Sequence, residues 1–164
     1  MSINRNLLFS GEATMVKVNS VDIGGTMGGV SVSRADDWLD ITCDQVMGNL
    51  RKKLTGRKMT VAFSVAEISL ANLQKAMAMP TANLSGSTLY FTDAEQGQIP
   101  IEFRVDAPTG GGTFIYYFKL CYITGSAEHK YVKDGQVVVP VEAEVMADPD
   151  NSNRYGYLVD VVVA

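Results

Sequence analysis

Residues 59–66 read Met-Thr-Val-Ala-Phe-Ser-Val-Ala, and this octet leaves the chain few choices. Met59, Val61, Phe63 and Val65 alternate with Thr60, Ala62, Ser64 and Ala66. At a period of two, one face of an extended strand is large and apolar and the other uniformly small. A small, uncharged face suits close packing against another layer or a smooth surface. The neighbouring segments extend the same theme. Thr14, Val16 and Val18 share one side of a first strand, and Asn19 to Gly25 turns the chain. In GGVSVSRA, Val30 and Val32 oppose Ser31 and Ser33. In WLDITCD, Leu39, Ile41 and Cys43 oppose Trp38, Asp40, Thr42 and Asp44.

Between that strand and the octet, Gln45 to Lys58 reads as a loop, because GNLRKKLTGRK is polar, basic and punctuated by glycine. After the octet comes a short helix over 69–79. Ser69 suits the N-cap, Leu70, Leu73 and Met77 fall on one face, and Pro80 ends it. The second half is expected to be β throughout, with strands at Thr88–Thr92, Ile99–Val105, Phe114–Ile123, Val137–Met146 and Arg154–Val163. FIYYFKLCYI is apolar on both faces, which suits a central strand or one covered by another subunit. Pro100 and Pro140 cannot donate to a ladder, so each marks a sheet edge or a bulge. Asp134-Gly135 signals a hairpin turn. No internal repeat or linker breaks the 164 residues, so a single domain over 1–164 is expected, with 1–12 as a docking arm.

Charge narrows the functions. The net charge of −4 supplies no global basic field for nucleic acid. Leu7, Leu8 and Phe9 are too few for the apolar segment of a signal peptide, and no apolar run is long enough to span a membrane. Cys43 and Cys121 both sit in apolar strand patterns and read as reduced, buried or half-buried thiols. The distribution of charge is more telling than its sum. Arg51, Lys52, Lys53, Arg57 and Lys58 put five of the 14 basic residues inside eight positions. Just upstream, Asp36, Asp37, Asp40 and Asp44 put four acids inside nine. Two readings are open: the segments pair with each other across one hairpin, or they are complementary surfaces between subunits that set register. No aromatic residue is interleaved with the basic run, which argues against a nucleic-acid groove.

No catalytic set emerges from the sequence. His129 is the only histidine and lies in a polar turn beside Ser126 and Glu128. The four aspartates lack the spacing and the glycine of a calcium loop, and one histidine with two distant cysteines does not make a zinc site. APTGGGTF, at 107–114, has no lysine after its glycines, and GGTMGG fails the dinucleotide fingerprint, so both read as turns. No enzymatic activity, cofactor or metal is therefore expected.

Four segments, in order, carry a family resemblance: VDIGGTMGGVSVSR, NLRKKLTGRKMTVAFSVAE, the helix SLANLQKAM that follows Ala66-Glu67, and VVVPVEAEVMADPD. Together they resemble the tail tube proteins of long-tailed, siphovirus-like bacteriophages. The resemblance implies a mainly β fold: two packed antiparallel β-sheets, sandwich- or barrel-like, flanked by one short α-helix, with a long loop between early strands. It implies a virion structural protein, assembled in the host cytoplasm, whose hexameric rings stack into a hollow conduit for the genome. The region 36–58 would then join one ring to the next. The partners implied are further copies of the chain, a tape-measure protein and tail initiator and terminator proteins. Genomic DNA would pass through the lumen without specific binding. A polyanion conduit should not grip its cargo, and an acidic chain with its basic residues tied up at interfaces satisfies that. The competing reading is a β-sandwich that binds a carbohydrate or a protein through Trp38, Tyr116, Tyr117 and Tyr122.

Overall fold

A computed structural model of the chain describes residues 13–106, 112–125, 128–131 and 133–161. The expected arm 1–12, most of APTGGGTF and Ser126 lie outside the described residues. The fold is mainly β and antiparallel, with one short helix. In chain order the elements are β1 (Met15–Val18), β2 (Val21–Asp22), β3 (Thr26–Cys43), β4 (Val46–Val65), α1 (Leu70–Ala76), β5 (Leu84–Ser85), β6 (Thr88–Leu89), β7 (Ile99–Asp106), β8 (Thr113–Ile123), β9 (Val139–Val145) and β10 (Tyr157–Val161).

The two expected layers are halves of one hydrogen-bonded sheet, ordered β2-β1-β7-β8-β9-β4-β3, with β10 added to β8; β5 and β6 form a separate small ladder. Strand β8 joins the halves. Along Thr113–Tyr117 it pairs with β10, and along Cys121–Ile123 it turns the same edge to β9. One apolar cluster fills the fold: Val16 and Val18 from β1, Ile101 and Phe103 from β7, Phe118 and Cys121 from β8, Val61, Phe63 and Val65 from β4, and Val139, Val141, Ala143 and Val145 from β9. The octet therefore does what its alternation requires. Its apolar face is buried, while Thr60, Ala62 and Ser64 stand on the other side.

The helix closes one end. Ser69 accepts from the Asn72 backbone N–H at 3.1 Å and caps it. Asn72 is buried because its amide donates to the carbonyls of Ile23 and Glu67, both at 2.8 Å, which ties the helix to the turn before β3. Gly24 in that turn has φ of +73°, and the Glu67 carboxylate lies where a Cβ would stand. Val18, Ile23, Phe63, Val65, Val141 and the buried part of the helix meet around one small void, so both halves and the helix share this end of the core. Lys75 is among the buried residues there, and desolvation lowers its pKa. Both cysteines are free thiols; Cys121 is buried, which pushes its pKa up to about 12, and Cys43 is half-buried.

Three expectations are corrected by the ladders. The segment 45–58 is not a loop. Only Asp44 and Gln45 turn, and β3 and β4 pair from Val30↔Phe63 out to Ile41↔Arg51 around one bulge, then again at Cys43↔Val46 after an irregularity that takes up Met47 to Leu50. The glycines and charges that suggested a loop are absorbed in two ways. Gly56 sits at a bulge, where β4 advances two residues, Gly56 to Leu54, against one step from Asp37 to Trp38. The lysines and arginines lie across from acids or apolar residues instead of repelling one another. Likewise GGTMGG is no simple turn: Thr26 already pairs with Val65, and Gly28 and Gly29, at φ of +81° and +78°, carry an irregularity inside β3. The serine-valine strand and WLDITCD are thus one strand of 18 residues. Both prolines fall where expected. Pro100 sits at a register shift of β7 against β8, and Pro140 lies in the part of β9 that β8 does not reach.

Candidate assembly surface

Strand β9 accompanies β4 only along Met59–Val65. Beyond Met59 the β3–β4 hairpin continues alone for nine more residues of β3, about 30 Å at the rise of a strand. This arm contains every residue that the charge layout singled out. Asp36 lies opposite Arg57, and the guanidinium donates twice to its carboxylate, at 2.7 and 3.2 Å. Arg34 adds a third contact at 3.3 Å. The Arg57 hydrogen bond holds the Asp36 carboxyl below the usual range, and the same bond raises the pKa of Arg57. Asp40 lies opposite Lys52, 3.5 Å away, and Lys58 reaches Glu144 of β9 at 3.1 Å. Thr55 donates to the Asp37 carbonyl at 3.0 Å across the bulge, and the Tyr155 hydroxyl donates to the Arg57 carbonyl at 3.0 Å. Acidic and basic runs therefore do pair across one hairpin. Among the described residues, however, Asp37, Asp44, Arg51 and Lys53 have no ion pair.

The apolar side chains of the arm were less legible. Leu39 lies opposite Lys53 and Ile41 opposite Arg51, on one face; Trp38 lies opposite Leu54 on the other. All four apolar residues are exposed, Trp38 and Leu39 to 54% and 53%, and Met47 near the tip is fully exposed. An isolated two-stranded ribbon is marginal in water, and one with large apolar groups bare on both faces presents them to a partner. The alternation of WLDITCD was visible in the sequence, but it suggested one buried face and one wet face. No signal in the sequence showed that the strand outruns its sheet.

A second bare region is β10. Tyr157, Leu158, Val159 and Val161 are all exposed, and β10 pairs only with β8. Strand β3 likewise has β4 on one side and no described strand on the other. Among the described residues two edges are thus open, the 18-residue β3 and the five-residue β10, a hazard unless something covers them. Against these edges, the far end of the sheet is stitched shut. Asp106 accepts from Thr14 at 2.8 Å, from Arg104 at 2.8 Å and from Thr113 at 2.6 Å, and these bonds, Thr113 first, hold its pKa down at about 2.

The aromatic residues offered for a binding module do not form a common platform. Tyr116 stacks on Phe103 at 4.4 Å and Tyr117 on Tyr157 at 5.0 Å, while Trp38 stands out on the arm. His129 packs edge-on against Tyr131, with ring centroids 5.5 Å apart. Among the described residues, no three potential ligands gather to hold a metal, and no helix is long and apolar enough to cross a membrane.

No family model matches the chain, and no curated protein does. Solved structures similar to it include two from gene transfer agent particles. One is a chain from the virion of a native gene transfer agent particle, 16% identical, with a TM-score of 0.47 over 90% of this chain and 95% of that one. The other is a chain from the tail of an empty gene transfer agent particle refined with C6 symmetry, 16% identical, with a TM-score of 0.41 over 88% and 86%.

Proposed function

We propose that this chain is the repeating structural subunit of a phage-like tail tube and has no enzymatic role. As a single domain, it closes with five further copies into a ring, and the rings stack into a hollow conduit through which the genome leaves. The observation that carries this reading is the arm: about 30 Å of paired strand outside the core, apolar on both faces and charged along its length. A chain folded for solitary life would not expose such a ribbon. The open edges of β3 and β10 support closure, because head-to-tail contacts between unlike surfaces generate rings when the rotation closes. A tape-measure protein and tail initiator and terminator proteins are the partners such a tube takes, and the virion tail is its location. In this reading, Asp36, Asp37, Asp40, Asp44, Arg51, Lys52, Lys53, Arg57 and Lys58 act at the junction between rings.

Negative-stain microscopy of concentrated protein, with light scattering alongside, tests the reading. Rings or hollow tubes of uniform bore are the expected result. Particles that stay monomeric at every concentration, alone and with the partner proteins encoded nearby, would sink it in favour of a binding module.

A further inference from the structure

At the root of the arm, on the outer face of the sheet, lies an open cleft of about 540 Å³. Its apolar lining includes Ala78, Tyr122, Ile123 and Met146. Two acids, Glu95 and Glu144, line it and no basic residue does. Tyr122 and Met146 are each 38% exposed, so the lining is not satisfied within the chain. Glu95 has no ion pair among the described residues, and Glu144 has only Lys58.

One face of the arm is the chemical complement of this cleft. Leu39 and Ile41 are flanked by Lys53 and Arg51, and neither cation has an acid partner among the described residues. The opposite face, by contrast, is already neutralised by the Asp40–Lys52 pair. The ladders also say that one chain cannot join the two surfaces. Glu144 lies opposite both Thr60 and Tyr122, and Thr60 lies opposite Ser33. The extra residue of the bulge belongs to β4, so alternation along β3 is unbroken from Ser33 to Leu39 and Ile41. Cleft and cationic arm face therefore look out from the same side of one sheet, and they can meet only between copies.

We propose that the arm face formed by Leu39, Ile41, Arg51 and Lys53 seats in the cleft of a second copy, with the two cations against Glu95 and Glu144. The inference rests on the tube reading and names the contact that joins one copy to the next. Tip and root are unlike surfaces, so the contact is head-to-tail and adds copies in one direction. The charges set register, and the apolar groups they surround are the part that leaves water.

A charge swap tests this. Lys53→Glu alone and Glu95→Lys alone should each raise the protein concentration at which particles form at least about tenfold, since each sets like charges face to face. The double variant should recover wild-type assembly. Both positions are exposed, so the thermal midpoint of the monomer should not move in any of the three. Two results overturn the inference while leaving the tube reading intact: particles that form normally in both single variants, or a double variant no better than Lys53→Glu. A wild-type protein that never assembles overturns both.

Discussion

Strands β3 and β4 belong to two different environments, and the boundary falls at Met59. On the root side, Val61, Phe63 and Val65 are buried, with β3 on one edge of β4 and β9 on the other. On the arm side, the same two strands continue with the same antiparallel pairing, but Leu54, Leu50, Leu39 and Ile41 are exposed. Hydrogen bonding is common to both, so it is not what separates them. A third strand and a covered apolar face make the root part of a core; their lack leaves the arm held by its ladder, its bulge and a few ion pairs. In the proposed tube, the root serves folding and the arm serves assembly.

The largest difference this predicts is in local opening. In the monomer, amides of Leu39 to Leu54 should exchange with solvent at least about a thousandfold faster than those of Val61 to Val65, because the arm opens without unfolding the core. Hydrogen exchange read by mass spectrometry resolves the two segments. Equal protection would erase the distinction between root and arm. Next in size is truncation. Phe63→Ala removes a fully packed ring and should cost about 3–5 kcal/mol in denaturant unfolding, whereas Leu54→Ala should cost about 0.5 kcal/mol or less. A loss at Leu54 as large as that at Phe63 would mean that the arm folds as part of the core.

A smaller effect separates the polar network at the far end of the sheet from the polar pairs of the arm. The pKa of Asp106 falls from 3.8 to about 2 on folding, first through its bond from Thr113. A lowered pKa means that its stabilisation is present above pH 3.8 and is lost as pH falls through about 2. With solvent screening of this half-buried carboxylate, the amount is about 1 kcal/mol or less. Asp106→Asn should remove that part of the acid destabilisation, measured as the shift in urea midpoint between pH 5 and pH 2. An unchanged pH profile would show that the network does not act on folding.

Much of this was legible in the sequence. The octet at 59–66, the Ser69 cap and the long strands of the second half follow from period, cap and turn chemistry, which are local; the helix face does not, because Leu70 is exposed while Asn72, Gln74, Lys75 and Ala76 are buried, and the strand expected at Thr88–Thr92 is only Thr88–Leu89. The cross-strand pairing of Asp36 with Arg57 was one of two readings, and the local charge order suffices to permit it. The arm was hidden for a physical reason. A loop and an unsupported ribbon have the same composition, with glycine, lysine and scattered leucine, and what distinguishes them is register between strands more than ten residues apart. The bulge at Thr55-Gly56 keeps that register, and no single position announces it. The continuity of the two layers through β8 was equally invisible, since it depends on which strand ends reach a shared neighbour.

The smallest effect is spectroscopic, and it probes the boundary from the arm's side. Trp38 is the only tryptophan, and it stands 54% exposed opposite Leu54. In the dilute monomer its emission should be red-shifted, as for an indole in water. The proposed contact seats the opposite face, with Leu39 and Ile41, so emission should stay red-shifted as concentration rises and particles appear, and a shift to the blue would mean that the Trp38 face docks as well. In urea the same indole should report the arm opening before far-ultraviolet circular dichroism reports loss of the sheet, because the two regions open with different free energies. Coincident transitions would make the hairpin one cooperative unit from Thr26 to Val65. A constant emission maximum throughout assembly would leave the Trp38 side of the arm facing water, and only the Leu39 and Ile41 side would then be engaged.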